Sequence, residues 1–176
     1  TGDGEISVKT TGAGNAGNIS IETPNLTTEQ IKITASTEAN SSGDAGNIEI
    51  KTGSLRVDND AQISAQTEGT GKGGDINISP KETTLNITGN GEISASTSGA
   101  GQGGNIDISA PETIDITGDG KISVETKDVG QAGNITITTG SLEVKNGAQI
   151  SASTYGKGDA GSVNICLLYT SPSPLD

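Results

Sequence analysis

The side chains that could do chemistry in this chain are mostly carboxylates: there are 22 Asp and Glu, no histidine, and one cysteine, Cys166. Without histidine there is no imidazole base, no Ser-His-Asp triad and no histidine-bearing zinc site. Carboxylates alone can still cleave polysaccharides when two or more converge on a glycosidic bond. Here they are dispersed. Asp107 and Asp115 each stand among neutral or drifting neighbours, and no long insertion interrupts a turn to build a cleft. The expectation is a chain that is not an enzyme and needs no cofactor.

What must position these residues is a repeat. The segments EISVKT (5–10), KITAST (32–37), QISAQT (62–67), EISAST (92–97), KISVET (121–126) and QISAST (149–154) recur roughly every 29 residues, a period typical of stacked solenoids. A second set follows each of them: GNISI (17–21), GNIEI (46–50), GDINI (74–78), GNIDI (104–108), GNITI (133–137) and GSVNI (161–165). A third set comprises NLTT, SLRV, TLNI, TIDI and SLEV, beginning at 25, 54, 84, 113 and 141. Each segment alternates apolar and polar residues with period two, the signature of a strand with one face on a core. Ile6 and Val8, Ile63 and Ala65, Ile48 and Ile50, Leu55 and Val57, and Leu142 and Val144 are expected to point inward. Glycine-rich stretches such as TGAGNAG (11–17) and SGAGQGG (98–104), with NG, GDG or GNG before the first strand, are expected to supply positive φ at the turns.

A unit of three short strands cannot close a core by itself, but it can on copies of itself. The sequence therefore predicts an all-β parallel β-helix of about six coils, three strands per coil, each strand pairing with its equivalent in the next. At about 4.8 Å per coil this makes a rod of roughly 25 to 30 Å. Inward residues repeat because each stacks on its twin. Narrow ladders of Ile, Val and Ala suffice where bulky aromatics would not fit.

Two polar columns accompany the apolar ones. Thr10, Thr37, Thr67, Thr97, Thr126 and Thr154 form one; Asn18, Asn47, Asp75, Asn105, Asn134 and Ser162 form the other, each after a glycine. They could be ligand-binding rows, but their recurrence in every coil favours a structural role, satisfying polar groups of the turns. The outward column Glu5, Lys32, Gln62, Glu92, Lys121, Gln149 puts no like charges on adjacent coils, whereas Asp115 and Glu143 are expected to stack. GKGGDINIS (71–79) resembles calcium-binding nonapeptide repeats, yet it occurs once per coil, not in immediate tandem, and its Asp is Asn in most coils. VDND (57–60) and TGDG (117–120) read as solvated turns. The hydroxyl pairs Thr34 and Ser36, Ser94 and Ser96, and Ser151 and Ser153 have the spacing of ice-binding rows, but Lys9, Gln66 and Glu125 interrupt them. The Asn-x-Ser/Thr triplets, such as that at Asn134, lie within strands and read as products of the repeat.

Only 29% of residues are hydrophobic and the net charge is −12. Unpatterned, such a composition would indicate disorder. The acidic balance disfavours nucleic acid and anionic membranes as partners, and no apolar run is long enough to span a bilayer. The chain begins at Thr1, consistent with a slice of a longer protein. After Ile165 the pattern breaks: CLLYTSPSPLD (166–176) resembles a translated sequencing-adapter frame, differing at Leu175, and is expected to be a non-native or disordered tail.

The combined pattern of GNITI, GSLxV, NGAQISAST and a glycine turn, clearest at 133–161 and 46–74, resembles the repeats of filamentous haemagglutinin-like exoproteins. That resemblance covers residues 1–165. It implies a β-helical shaft segment of a large secreted or cell-surface bacterial adhesin, the exported partner of a two-partner secretion system. The implied partners are an outer-membrane secretion pore, neighbouring coils of the same chain and a surface receptor or glycan. A carbohydrate-binding or carbohydrate-active β-helix is the alternative.

Overall fold

The computed structural model describes residues 3–81 and 84–168. Thirteen strands wind through it: β1 Glu5–Thr10, β2 Ile19–Glu29, β3 Lys32–Thr37, β4 Ile48–Asp58, β5 Gln62–Thr67, β6 Ile76–Pro80, β7 Thr84–Ile87, β8 Glu92–Ser94, β9 Ile106–Ile116, β10 Lys121–Thr126, β11 Ile135–Val144, β12 Gln149–Thr154 and β13 Val163–Leu167. One sheet stacks β1-β3-β5-β8-β10-β12. The other stacks β2-β4-β6-β9-β11-β13, with β7 between β4 and β9. All pairings between these strands are parallel and join equivalent positions of successive coils: Ile6 on Ile33 on Ile63, and Ile48 on Ile76 on Ile106. The fold is a parallel β-solenoid of about six turns.

The core is the set of inward ladders. Ile33, Ile63, Ile93 and Ile122 are fully buried in one column; Ile50, Ile78, Ile108 and Ile137 fill another; Leu55, Leu85 and Ile114 a third. Alanine or valine at 35, 65, 95 and 124 fills the space beside them. Burial of each such isoleucine contributes on the order of 1.5 to 3 kcal/mol. Two of the side chains expected inside are exposed, Ile6 at 49% and Val144 at 41%. Ile6 lies in the first coil, and Val144 lies in the half of β11 that β13 does not cover, so alternation sets their direction but no described strand packs over them.

The three strands expected per coil become two in most coils. The second and third run together as one strand of up to 11 residues, with the pairing interrupted in the middle at Pro24 and Gly53 and shifted in register between Thr139 and Ser141. The interruption is braced locally: the hydroxyls of Thr23, Thr52 and Thr139 each donate to the carbonyl two residues on, at 3.1, 2.8 and 3.0 Å. Coil three departs from this. Pro80 stands opposite Thr52, but four residues separate it from Leu85 where two separate Thr52 from Leu55, and β6 and β7 are distinct. Proline has no N–H for the ladder, so it sits where pairing can lapse.

The glycine-rich loops hold the second difference. Among the described glycines only Gly89, Gly118 and Gly147 have positive φ, all in the turn before the first strand. The loop glycines are required for another reason, close backbone approach. A Cβ on Gly43, Gly71, Gly101, Gly130 or Gly158 would lie 2.0, 2.0, 1.6, 1.7 or 1.9 Å from the carbonyl oxygen of the equivalent glycine one coil earlier. At the carboxyl end β13 pairs with β11 through Thr138–Cys166 and Thr139–Leu167, so pairing continues two residues past the expected boundary at 165. The rest of the expected tail, 169–176, lies outside the described residues.

Candidate functional surface

The sequence singled out polar columns, and the geometry gives each row of them a local partner. In the threonine column the hydroxyls of Thr67, Thr97, Thr126 and Thr154 donate to the carbonyl five residues on, at Lys72 (2.6 Å), Gln102 (2.9 Å), Gln131 (3.1 Å) and Asp159 (2.9 Å). Each bond ties the end of a first-sheet strand across the glycine loop that follows it. Thr10 heads this column, stacked on Thr37. The Thr37 hydroxyl is buried and finds no partner among the described residues. Its loop carries two extra residues, Ala39 and Asn40, the latter at φ 69°, compared with the loop after Thr67.

The asparagine column works between coils. The Oδ1 atoms of Asn18, Asn47, Asp75, Asn105 and Asn134 each accept the backbone N–H of the equivalent residue in the next coil, at 2.8 to 2.9 Å. Side chains join in at two steps: Asn105 Nδ2 donates to Asp75 Oδ1 at 3.0 Å, and Ser162 Oγ to Asn134 Oδ1 at 2.8 Å. A parallel row that sequence reading missed does the same three positions earlier in the loop: Asn15 and Asp44 accept from the N–H groups of Asp44 and Lys72. Asp at a ladder position therefore acts as an acceptor, as Asn does. Replacing Asn105 with Ala removes the acceptor for Asn134 N–H in a solvent-exposed row, where water substitutes in part. The expected loss is about 0.5 to 1.5 kcal/mol, read as a fall of a few degrees in the thermal midpoint, while Asp75→Asn leaves the midpoint nearly unchanged.

The outer face of the first sheet carries the hydroxyl row. Ser64, Ser94 and Ser123 point away from the core, yet only 5%, 2% and 1% of their surface is exposed. Longer neighbours cover them. Lys121 and Glu125 flank Ser123 on its own strand and join above it, Nζ to Oε1 at 2.6 Å, and Gln66 Nε2 reaches Ser94 Oγ at 3.4 Å. What remains open is a pair of depressions of about 140 and 220 Å³, both bordered by Gln66 and Glu68. Lys9, Gln66 and Glu125 stand in the row where a flat hydroxyl array would need Ser or Thr.

Glu68, Glu92 and Glu125 border the larger of these depressions, whereas the two acids singled out in the sequence stay apart. Asp107 stacks between Asn77 and Thr136, and Asp115 between Asn86 and Glu143. No group of three or more His, Cys, Asp or Glu comes within reach of a shared ion among the described residues. Where Asp115 and Glu143 meet, a Lys145 ion pair to Glu143 offsets the repulsion: its hydrogen bond and charge hold the Glu143 carboxyl below its usual range.

Asp58, which sequence reading placed only in a solvated turn, is the buried carboxylate. Burial pushes its pKa up, but the Arg56 guanidinium at 2.5 Å and the Asn59 N–H at 2.8 Å help to outweigh that and hold it below the ordinary value. A carboxylate with a depressed folded pKa stabilises the fold above its unfolded value, about 3.9. That contribution is lost as pH falls through the folded value. We expect the thermal midpoint to fall below about pH 4, and Asp58→Asn to lower the midpoint at neutral pH while flattening this acid limb. An acid limb as steep in Asp58→Asn as in the wild type would assign the loss to other carboxylates.

Three features therefore recur: threonine-tied loops, an inter-coil amide ladder, and, among the described residues, no three acids placed to share an ion. Comparison with family models, with curated proteins and with solved structures finds no match to this chain.

Proposed function

We propose that this chain is a shaft segment of a large secreted or cell-surface adhesin of the filamentous haemagglutinin type. In this reading it acts by extension, holding a binding region away from the cell. One observation carries it: equivalent residues stack through successive coils, inside and in the turns, while the outward columns drift from coil to coil. Such a surface keeps what stacking requires and little that a single ligand would require. The repeat pattern at 46–74 and 133–161 supplies the family, and with it export through an outer-membrane pore and a receptor or glycan bound elsewhere on the longer chain. The dispersal of Asp107 and Asp115 supports a role without catalysis.

The test is where the coils stand in the cell that makes them. Antibodies raised against the folded coils should stain intact cells, and mild external proteolysis should remove that signal. Staining that requires permeabilised cells would sink the reading.

A further inference from the structure

The dipeptide Asn-Gly occurs at 90–91 and again at 146–147, and the structure sets the two pairs one residue out of frame in the same kind of turn. We propose that Asn146 is a site of covalent modification: its side chain cyclises onto the Gly147 nitrogen, ammonia leaves, and water converts the residue to aspartate or isoaspartate, while Asn90 keeps its amide. This goes beyond the shaft reading and does not depend on it.

The turns before the first-sheet strands are each closed by one backbone hydrogen bond across four residues. Ala61 N–H donates to Asp58 O at 3.1 Å, Gly91 to Thr88 at 3.0 Å, Gly120 to Thr117 at 3.4 Å and Ala148 to Lys145 at 3.2 Å. Where Gly89 or Gly118 opens the central pair, it alone has positive φ; Asn59 with Asp60, and Asn146 with Gly147, have positive φ at both central places. These are the two short turn geometries that suit the twist of adjoining strands.

The frame decides which nitrogen is free to react. Gly91 is the closing residue of its turn, so its N–H is the one bonded to Thr88. A Cβ there would lie 2.4 Å from Val57 O, which leaves the segment no room to shift, and Asn90 Nδ2 is held by Asp60 Oδ1 at 2.8 Å. Gly147 is instead a central residue, and its N–H bonds to no described backbone group. Asn146 beside it is exposed. Glycine also leaves the attacking nitrogen unshielded, whereas Asn59, at the same place in its turn, is followed by Asp60 with a side chain of its own.

A coil stacked on the turn leaves this corner in water. In the three earlier turns, each covered by a further coil, the residues at the place of Gly147 are Asp60, Asn90 and Asp119; all three are exposed, and their N–H groups also bond to no described backbone group.

The reaction needs only water. The Gly147 nitrogen bonds to Asn146 Cγ and gives up its proton, the Cγ–Nδ2 bond breaks, and ammonia departs with that proton. Water then opens the five-membered ring at one of its two carbonyls. The product adds one negative charge to a chain of net charge −12, next to the corner where Asp119 Oδ1 already stands 3.1 Å from the Cβ position of Gly147. Isoaspartate also lengthens the main chain within the turn that leads β11 into β12.

The test is incubation of the full folded chain in warm, mildly alkaline buffer, with peptide mapping by mass spectrometry and the same chain in urea alongside. Asn146 should convert steadily to aspartate and isoaspartate in the folded chain. Breaking the two bonds that hold Asn90 and Gly91 should slow reaction there by roughly tenfold or more. In urea the two sites should convert at similar rates. Equal rates at both sites in the folded chain would overturn the proposal, as would an Asn146 that keeps its amide when folded and loses it only in urea.

Discussion

Gly101→Ala should prevent the central coils from stacking, whereas Gly14→Ala, the same substitution in the same column, should leave the melt unchanged. At Gly101 an added Cβ would lie 1.6 Å from Gly71 O and 2.6 Å from Gly71 C, both backbone atoms with no rotamer to change. Relief requires the two loops to separate, and the Thr97 hydroxyl bond to Gln102 O and the Gly103 N–H bond to Gln131 O lie in the strained segment. Overpacking against side chains costs about 1 to 3 kcal/mol. A clash with fixed backbone belongs at or beyond the upper end of that range. At Gly14 the Cβ direction faces away from the second coil and meets nothing within 4 Å. Alanine is, if anything, favourable there, because it restricts the unfolded chain by about 0.4 to 1 kcal/mol where the backbone permits it. Circular dichroism melts of the two variants decide the matter. Equal midpoints would mean that the loop glycines are kept for chain flexibility rather than for close approach.

This pair also marks where sequence reading stops. Period-two alternation in six aligned copies gives strand direction, register and inward face, because a strand slipped by one residue would turn every Ile to water. Residues such as Ile63, Ile78 and Leu85 are accordingly buried as their spacing requires. The same letters do not say why a glycine is there. Gly147 at φ 93° and Gly101 beneath a carbonyl look alike in sequence, although one is needed for its torsion and the other for its missing side chain. Nor does alternation report what lies beyond a strand, so Ile6 and Val144 read as core and lie uncovered. The interruption within the merged second and third strands is braced by the Thr52 and Thr139 hydroxyls reaching two residues ahead, a bond that needs the backbone in place before it can be recognised. The polar columns were legible as columns. Their hydrogen-bond directions were not: threonine acts within its own coil and asparagine on the next.

The depressions on the first sheet are small, about 140 and 220 Å³, and their floor explains why. Ser64, Ser94 and Ser123 are small, but the Lys121–Glu125 pair and Gln66 close over them; the Ser64 and Ser94 hydroxyls bond each other at 3.3 Å and Gln66 Nε2 reaches Ser94, while the Ser123 hydroxyl is buried without a partner among the described residues. Surface ion pairs such as Lys121–Glu125 contribute about 0 to 1 kcal/mol to stability. Their larger effect is to fill the face, leaving an outer surface suited to spacing rather than to capture.

Ile78→Ala should be the most damaging truncation of the core, and it should change the form of unfolding as well as its midpoint. Ile78 is fully buried, stacked between Ile50 and Ile108 in the middle of its column. Removing three carbons from a site that cannot collapse costs about 2 to 5 kcal/mol, and rigid coils above and below leave little room for collapse. Ile165→Ala, in the same column but 48% exposed at the end of the rod, should lose less than about 1 kcal/mol. In a solenoid each coil contacts only its neighbours, so stability is a chain of coil and interface terms. Weakening an end interface frays one coil. Weakening the interfaces of coil three uncouples the coils before it from those after it, and one cooperative transition should broaden or split in two. Urea unfolding followed by circular dichroism, with hydrogen exchange on both sides of Ile78, tests this. A single sharp transition merely shifted to lower urea would mean that the coils are coupled over longer range than nearest-neighbour stacking provides.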